Sequence, residues 1–156
     1  MEGRTIAESR VTLGLMMGPD NANALGNVHG GVIMKYADEA GAVAAMRHAR
    51  RPVVTVAIDS LTFLEPITVG HLVTFQAELT YAGRTSMEVR VLVDAEDPIT
   101  GRRTRTNMAY LVYVAIDENH RPYPVPALIP ETPEEMQRFE EARLRQQRRK
   151  QERAEK

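Results

Sequence analysis

Hydrophobic and polar residues alternate with a period of two in five stretches of this chain. They are 10–17 (RVTLGLMM), 53–63 (VVTVAIDSLTF), 72–81 (LVTFQAELTY), 86–94 (SMEVRVLVD) and 103–116 (RTRTNMAYLVYVAI). Such alternation, with many β-branched residues, predicts strands. Turn formers separate them: GPDN at 18–21, Glu65-Pro66, AGR at 82–84 and DPITG at 97–101. Residues 21–31 read as an irregular loop rich in Asn and Gly. Residues 30–48 break the alternation; they are rich in alanine, lack proline, and are closed by Arg51-Pro52, which predicts one helix. Apolar residues run around most of its circumference, so the helix is expected to be buried. Ala37, Ala40, Gly41 and Ala44 make a narrow stripe that would let a sheet approach closely.

One strand, a buried helix and four antiparallel strands predict an α+β fold, an antiparallel sheet curled around one long central helix. Its sheet edges invite pairing with a second copy. After Pro122, Pro124, Pro126 and Pro130 the pattern changes. Residues 133–156 are helix-forming and densely charged, with Met136, Phe139 and Leu144 as a stripe able to dock on the domain. Beyond Leu144 nothing apolar remains, and a solvated or frayed end is expected.

Length and composition narrow the choice. The chain has 156 residues, 43% hydrophobic and 26% charged, which suits one domain, expected at 1–130, with a charged helical tail at 131–156. A net charge of −1 gives no general pull toward nucleic acid or membrane. Flanking glutamates nearly balance the basic run RLRQQRRK, and no aromatics are interleaved with it for base stacking. The absence of cysteine excludes disulfides, a thiolate nucleophile and zinc-thiolate sites. No leader-like opening occurs, and no apolar run reaches the roughly 20 residues needed to span a bilayer. A cytoplasmic location is the default expectation. His48, His71 and His120 show no metal-ligand spacing, so no metal is expected.

The segment NANALGNVHGGVIMKYADEAG at 21–41 carries the candidate chemistry. Asp38 stands inside an otherwise apolar helix, where a buried carboxylate is costly unless something uses or pairs it. Glu39 has Lys35 one turn back, so an ordinary ion pair accounts for it; Asp38 has no such partner at helical spacing. Gly30 and Gly31 open the helix, where backbone N–H groups have no partner within it and the dipole favours negative charge. Together they suggest a base and an anion-stabilising donor. Asn23, Asn21 and Asn27 are locally alike, and each could merely hydrogen-bond its own loop.

This segment, with VVTVAIDSLTFLEPITVG and GRTSMEVRVLVD, resembles the hotdog-fold acyl-CoA thioesterases of the cytosolic acyl-CoA hydrolase type. The likeness covers residues 10–117. It implies acyl-CoA hydrolysis to free acid and coenzyme A, with no cofactor beyond the coenzyme A of the substrate. It also implies a site formed between two subunits of a homo-oligomer, a dimer at minimum and a trimer of dimers by family habit. The family's asparagine and aspartate roles fall on Asn23 and Asp38. Asp38 is then general base or direct nucleophile, two roles that sequence does not separate. Asn23 orients water or substrate, and the Gly30 N–H, with Gly31, polarises the thioester carbonyl. His29 is grouped with the substrate-binding residues, its ring expected to cap the helix entrance or support the loop. Arg84, Thr85 and Ser86 form the turn that contacts coenzyme A in related thioesterases, with Arg84 suited to phosphate. Thr55, Thr62 and Phe63 are expected to line the acyl channel. Two other readings stay open: a non-catalytic acyl-CoA-binding module, and a hotdog hydratase or dehydratase. The latter uses a His with a carboxylate in a sequence setting absent here.

Overall fold

The computed structural model describes residues 1–155, with only the backbone of Ser60; Lys156, the end of the expected tail, lies outside them. The five alternating stretches form strands: β2 (Val11–Met16), β3 (Val53–Phe63), β4 (Leu72–Ala82), β5 (Ser86–Glu96) and β6 (Arg103–Ala115). They pair in the order β2-β4-β5-β6-β3, antiparallel throughout. One helix, α2 (Gly30–Ala49), lies across the sheet. Three short elements went unread in the sequence. They are β1 (Arg4–Thr5), α1 (Ile6–Ser9) and β7 (Leu128–Ile129), too brief to show a period; β1 and β7 pair in parallel. Thr5 and Glu8 close a capping box on α1, and Ile6 plugs into the core.

Alternation fixes which side chains meet the helix. Val73, Phe75, Ala77 and Leu79 on β4, Met87, Val89, Val91 and Val93 on β5, and Ala109, Leu111, Tyr113 and Ala115 on β6 are all buried. Facing them, α2 buries Ile33, Ala37, Ala40, Gly41, Ala44, Ala45 and His48. The stripe is mostly Ala and Gly, so helix and sheet come close. A Cβ on Gly41 would collide with the Tyr113 hydroxyl. Burial is one-sided, however. Met34, Lys35, Glu39, Met46 and Arg47 are exposed and Val43 and Ala42 only half-buried. The expectation of a helix buried around most of its girth fails within one chain, because a single open sheet covers a single face. The predicted Lys35–Glu39 pair does not form either; Lys35 Nζ lies 5.3 Å from the Tyr36 ring centroid instead.

The last helix, α3 (Pro133–Ala154), starts at Thr132, whose hydroxyl accepts from the Glu135 N–H, with Pro133 and Glu134 in the first turn. It packs on β4, across the sheet's other face, but not through the predicted stripe: Met136 and Leu144 are 56% and 50% exposed. Phe139 alone meets the domain, 5.3 Å from the Tyr81 ring. Charge does most of the docking. Glu88, buried on β5, receives Arg145 at 2.8 and 3.1 Å, Arg149 at 2.7 Å and the Thr80 hydroxyl at 2.6 Å. Arg149 also reaches Asp59 at 3.1 Å, and Glu78 gathers Arg10, Arg90 and Arg138. The stretch beyond Leu144, expected to be solvated, is therefore anchored as far as Arg149, while residues 150–155 are exposed as expected. No helix among the described residues is long and apolar enough to cross a membrane.

Candidate functional site

Asp38 sits in the third turn of α2, half-buried, with its carboxylate turned toward the sheet. The Thr55 hydroxyl donates to its Oδ1 at 2.8 Å, and the Tyr113 hydroxyl lies 2.9 Å from the same oxygen and 2.9 Å from the Asp38 carbonyl. Among the described residues, none donates a hydrogen bond to Oδ2. Thr55 and Tyr113 are cross-strand partners on β3 and β6, and a bulge follows Thr55 in the ladder. Thr55 precedes the bulge and keeps the register that faces it, with Tyr113, toward α2; the bulge re-aims the residues beyond it. Tyr113 is fully buried. Burial first, then the Asp38 charge and their hydrogen bond, push its phenol far above the ordinary value of 10.0, so it stays a protonated donor. Sequence reading missed Tyr113. The usable signal was a tyrosine at an inward strand position opposite a glycine of the helix stripe.

A second group gathers at the helix start. Gly30 is the first residue of α2, and the Phe63 ring sits over it: a Cβ there would come 3.1 Å from the ring edge. Gly31 faces open space. Phe63 and Leu64, both exposed, with Val28, Ile33, Pro66 and Ile67, line a mostly apolar pocket of about 250 Å³ beside this end, with Glu65 its one charged wall residue. Thr62 lies one residue back, its carbonyl accepting from Asn107 Nδ2 at 2.9 Å. His29 occupies the cap position but makes no side-chain cap bond; its carbonyl takes the Val32 and Ile33 N–H groups. The expected ring cap is thus replaced by backbone.

Asn23 builds the preceding loop. Its Oδ1 accepts from the Leu25 and Asn27 N–H groups at 2.9 and 3.1 Å, which fixes the amide orientation and leaves Nδ2 without a partner among the described residues. Gly30 and Asp38 are eight positions apart, about 12 Å along the axis at 1.5 Å per residue, and the free N–H groups point off the end away from Asp38. Within one chain the carboxylate and the helix-start donors are separate.

The third group, Arg84, Thr85 and Ser86, forms a tight hairpin whose carbonyls accept from Val125, Ala115 and Gly83. It lies level with Asp38, since Met87 pairs with Tyr113. Ser86, however, lines a groove with Gln146 and Arg149 on the face that carries α3, not the face that carries Asp38. Among the described residues, no cluster of His, Asp or Glu could hold a metal ion.

The profile of the thioesterase superfamily matches residues 25–101. A Bacillus subtilis relative, named uncharacterized acyl-CoA thioester hydrolase YkhA, is 38% identical over 86% of this chain and 78% of its own length. The cytosolic acyl coenzyme A thioester hydrolase of Rattus norvegicus is 38% identical over 92% of this chain, but the chain spans only 38% of that protein's length. A hexameric acyl-CoA thioesterase superposes with a TM-score of 0.93 at 39% identity, covering 99% of both chains. An acyl-CoA hydrolase from Staphylococcus aureus, solved with butyryl coenzyme A and coenzyme A, superposes with a TM-score of 0.89 at 34% identity over 97% and 93% of the two chains. That hydrolase has also been solved with an asparagine, an aspartate or a threonine replaced by alanine. Those three positions are spaced as Asn23, Asp38 and Thr55 are here.

Proposed function

This chain belongs to the thioesterase superfamily, and from that premise we propose that it hydrolyses acyl-CoA thioesters to free acid and coenzyme A at sites shared between two copies. The observation that carries the proposal is the hold on Asp38: two hydroxyls converge on Oδ1 and leave Oδ2 free. A carboxylate oriented in this way is poised to take a proton from water, or to attack directly.

The steps are those of acyl transfer. Water adds to the thioester carbon while its proton passes to Asp38. The oxygen that becomes negative meets the Gly30 N–H, a donor of a kind typically worth about 2.7–4 kcal/mol in the transition state. Collapse breaks the C–S bond, and the departing thiolate takes that proton from Asp38. Asn23 Nδ2, free of the loop, is the group to hold water or substrate. The pocket beside Phe63 takes the start of the acyl chain, with Thr62, Gly31 and His29 at its border. Arg84, Thr85 and Ser86 are assigned to coenzyme A.

Base, water, carbonyl and donor in successive contact cover roughly 8 Å, less than the axial gap between Asp38 and its own Gly30. The donors therefore come from a second copy. The surface supports this: β3 is an edge strand paired only with β6, and its Val54, Val56 and Ile58 are exposed. An unpaired apolar edge of this length calls for a partner, and the hexameric neighbours fit a trimer of dimers. The mammalian relatives are named cytosolic, and the same compartment is assigned here.

Thiol release from a panel of acyl-CoAs tests the proposal. Wild type is expected to release thiol, and Asp38→Asn to lose at least a hundredfold in kcat with its fold intact. Binding without thiol release would leave a carrier module; near-normal turnover by the variant would remove Asp38 from the chemistry.

A further inference from the structure

Resting on that reading of Asp38, we infer that Tyr113 is a positioning residue for catalysis: its buried hydroxyl fixes the Asp38 carboxylate so that Oδ1 is occupied and Oδ2 alone faces the substrate. Three observations support it. The Tyr113 hydroxyl reaches both Oδ1 and the Asp38 carbonyl at 2.9 Å, so it ties the side chain to its own helix turn. Thr55 donates to Oδ1 from the neighbouring strand at 2.8 Å, and the pair brackets one oxygen only. Gly41, one turn on, has no Cβ to block the hydroxyl's approach. A phenol that served only to fill the core would need neither the glycine nor the second contact, and phenylalanine would pack as well.

The electrostatic surroundings make the assignment readable. Facing Asp38 from the sheet are Tyr113 on β6 and the uncharged Thr55 on β3. The residues that β4 and β5 turn toward α2 are apolar, and Asp59 on β3 reaches across to Arg149 on the other face. On α2 itself, Lys35 and Glu39 are exposed. Removing the phenol hydroxyl takes away one of the two donors that fix Oδ1 and loosens the aim of the carboxylate.

The experiment is Tyr113→Phe, which keeps the ring and removes the oxygen. Expected are a loss of about tenfold in kcat with KM little changed, and, in a crystal structure of the variant, an Asp38 carboxyl that has left the orientation held in the wild type. Tyr113→Phe with wild-type kcat would overturn the inference. So would a loss of kcat with the Asp38 side chain unmoved, which would mean packing alone. Wild type without any thiol release would instead strike the proposed function. The position of the carboxyl in the variant would still decide whether Tyr113 governs it.

Discussion

Thr55 and Tyr113 touch the same carboxylate oxygen, so their effects should couple. Thr55→Val is expected to lower kcat about tenfold, and the double change with Tyr113→Phe to cost less than the product of the two. Thiol-release kinetics on the four proteins close the cycle; strict additivity would mean that the hydroxyls act separately. Two titrations give stability a pH dependence. Tyr113 is shifted upward, so above about pH 10.0 the unfolded chain loses a phenolic proton that the fold retains. Stability should fall as pH rises from there, and Tyr113→Phe should flatten the slope. His48 is shifted downward, mainly by burial; its Nε2 meets the Pro126 carbonyl at 2.8 Å, while Nδ1 is buried without a partner. The neutral ring is the folded form, so below about pH 6.5 the unfolded chain gains a proton that the fold refuses, and stability falls as pH falls. Urea midpoints between pH 5 and 11 check both limbs. Asp38 was legible in the sequence because an acid inside an apolar helix conflicts with folding. Tyr113 was not, because the contact joins residues 75 positions apart and nothing local marks it.

At the scale of elements, the strands and α2 were legible because periodicity reports one covered face directly. The docking of α3 was not, because its contacts are made by Arg145 and Arg149, and a charged stripe reads as solvent-facing. Replacing Glu88 by Gln strips Arg145 of its anion in a mostly buried setting and leaves Arg149 with Asp59 alone. A loss of about 3 kcal/mol is expected, read from chemical denaturation; an unchanged midpoint would mean that Phe139 and the Arg138–Glu78 pair hold α3 without Glu88. Gly41→Ala tests the other helix: the added methyl meets the Tyr113 hydroxyl, and about 1–3 kcal/mol of stability should be lost together with kcat.

For the whole molecule, the one-sided burial of α2 and the exposed β3 edge lead to the same requirement for a second copy. Mixing two inactive variants is the decisive test. In a dimer of Asp38→Ala with Asn23→Ala, both changes fall in one site and the other site is intact, so random assembly should restore about a quarter of wild-type turnover. No recovery after reassembly would place each site within a single chain. Val56→Lys, which puts a charge on the bare edge, should lower the mass seen by light scattering and abolish turnover together. The resemblance made a shared site expected. The sequence carried no distance from which to derive it; the measure came only with the rise of α2 between its first residue and its acid.

That same stretch of helix has a kinetic consequence. If the two halves of the chemistry reside in different polypeptides, a solitary chain is silent toward thioesters however well it is folded. At dilutions where association is incomplete, the initial velocity should then grow with the square of the amount of protein added. Newly synthesised chains would leave a cell's activated acids untouched until they met their own kind.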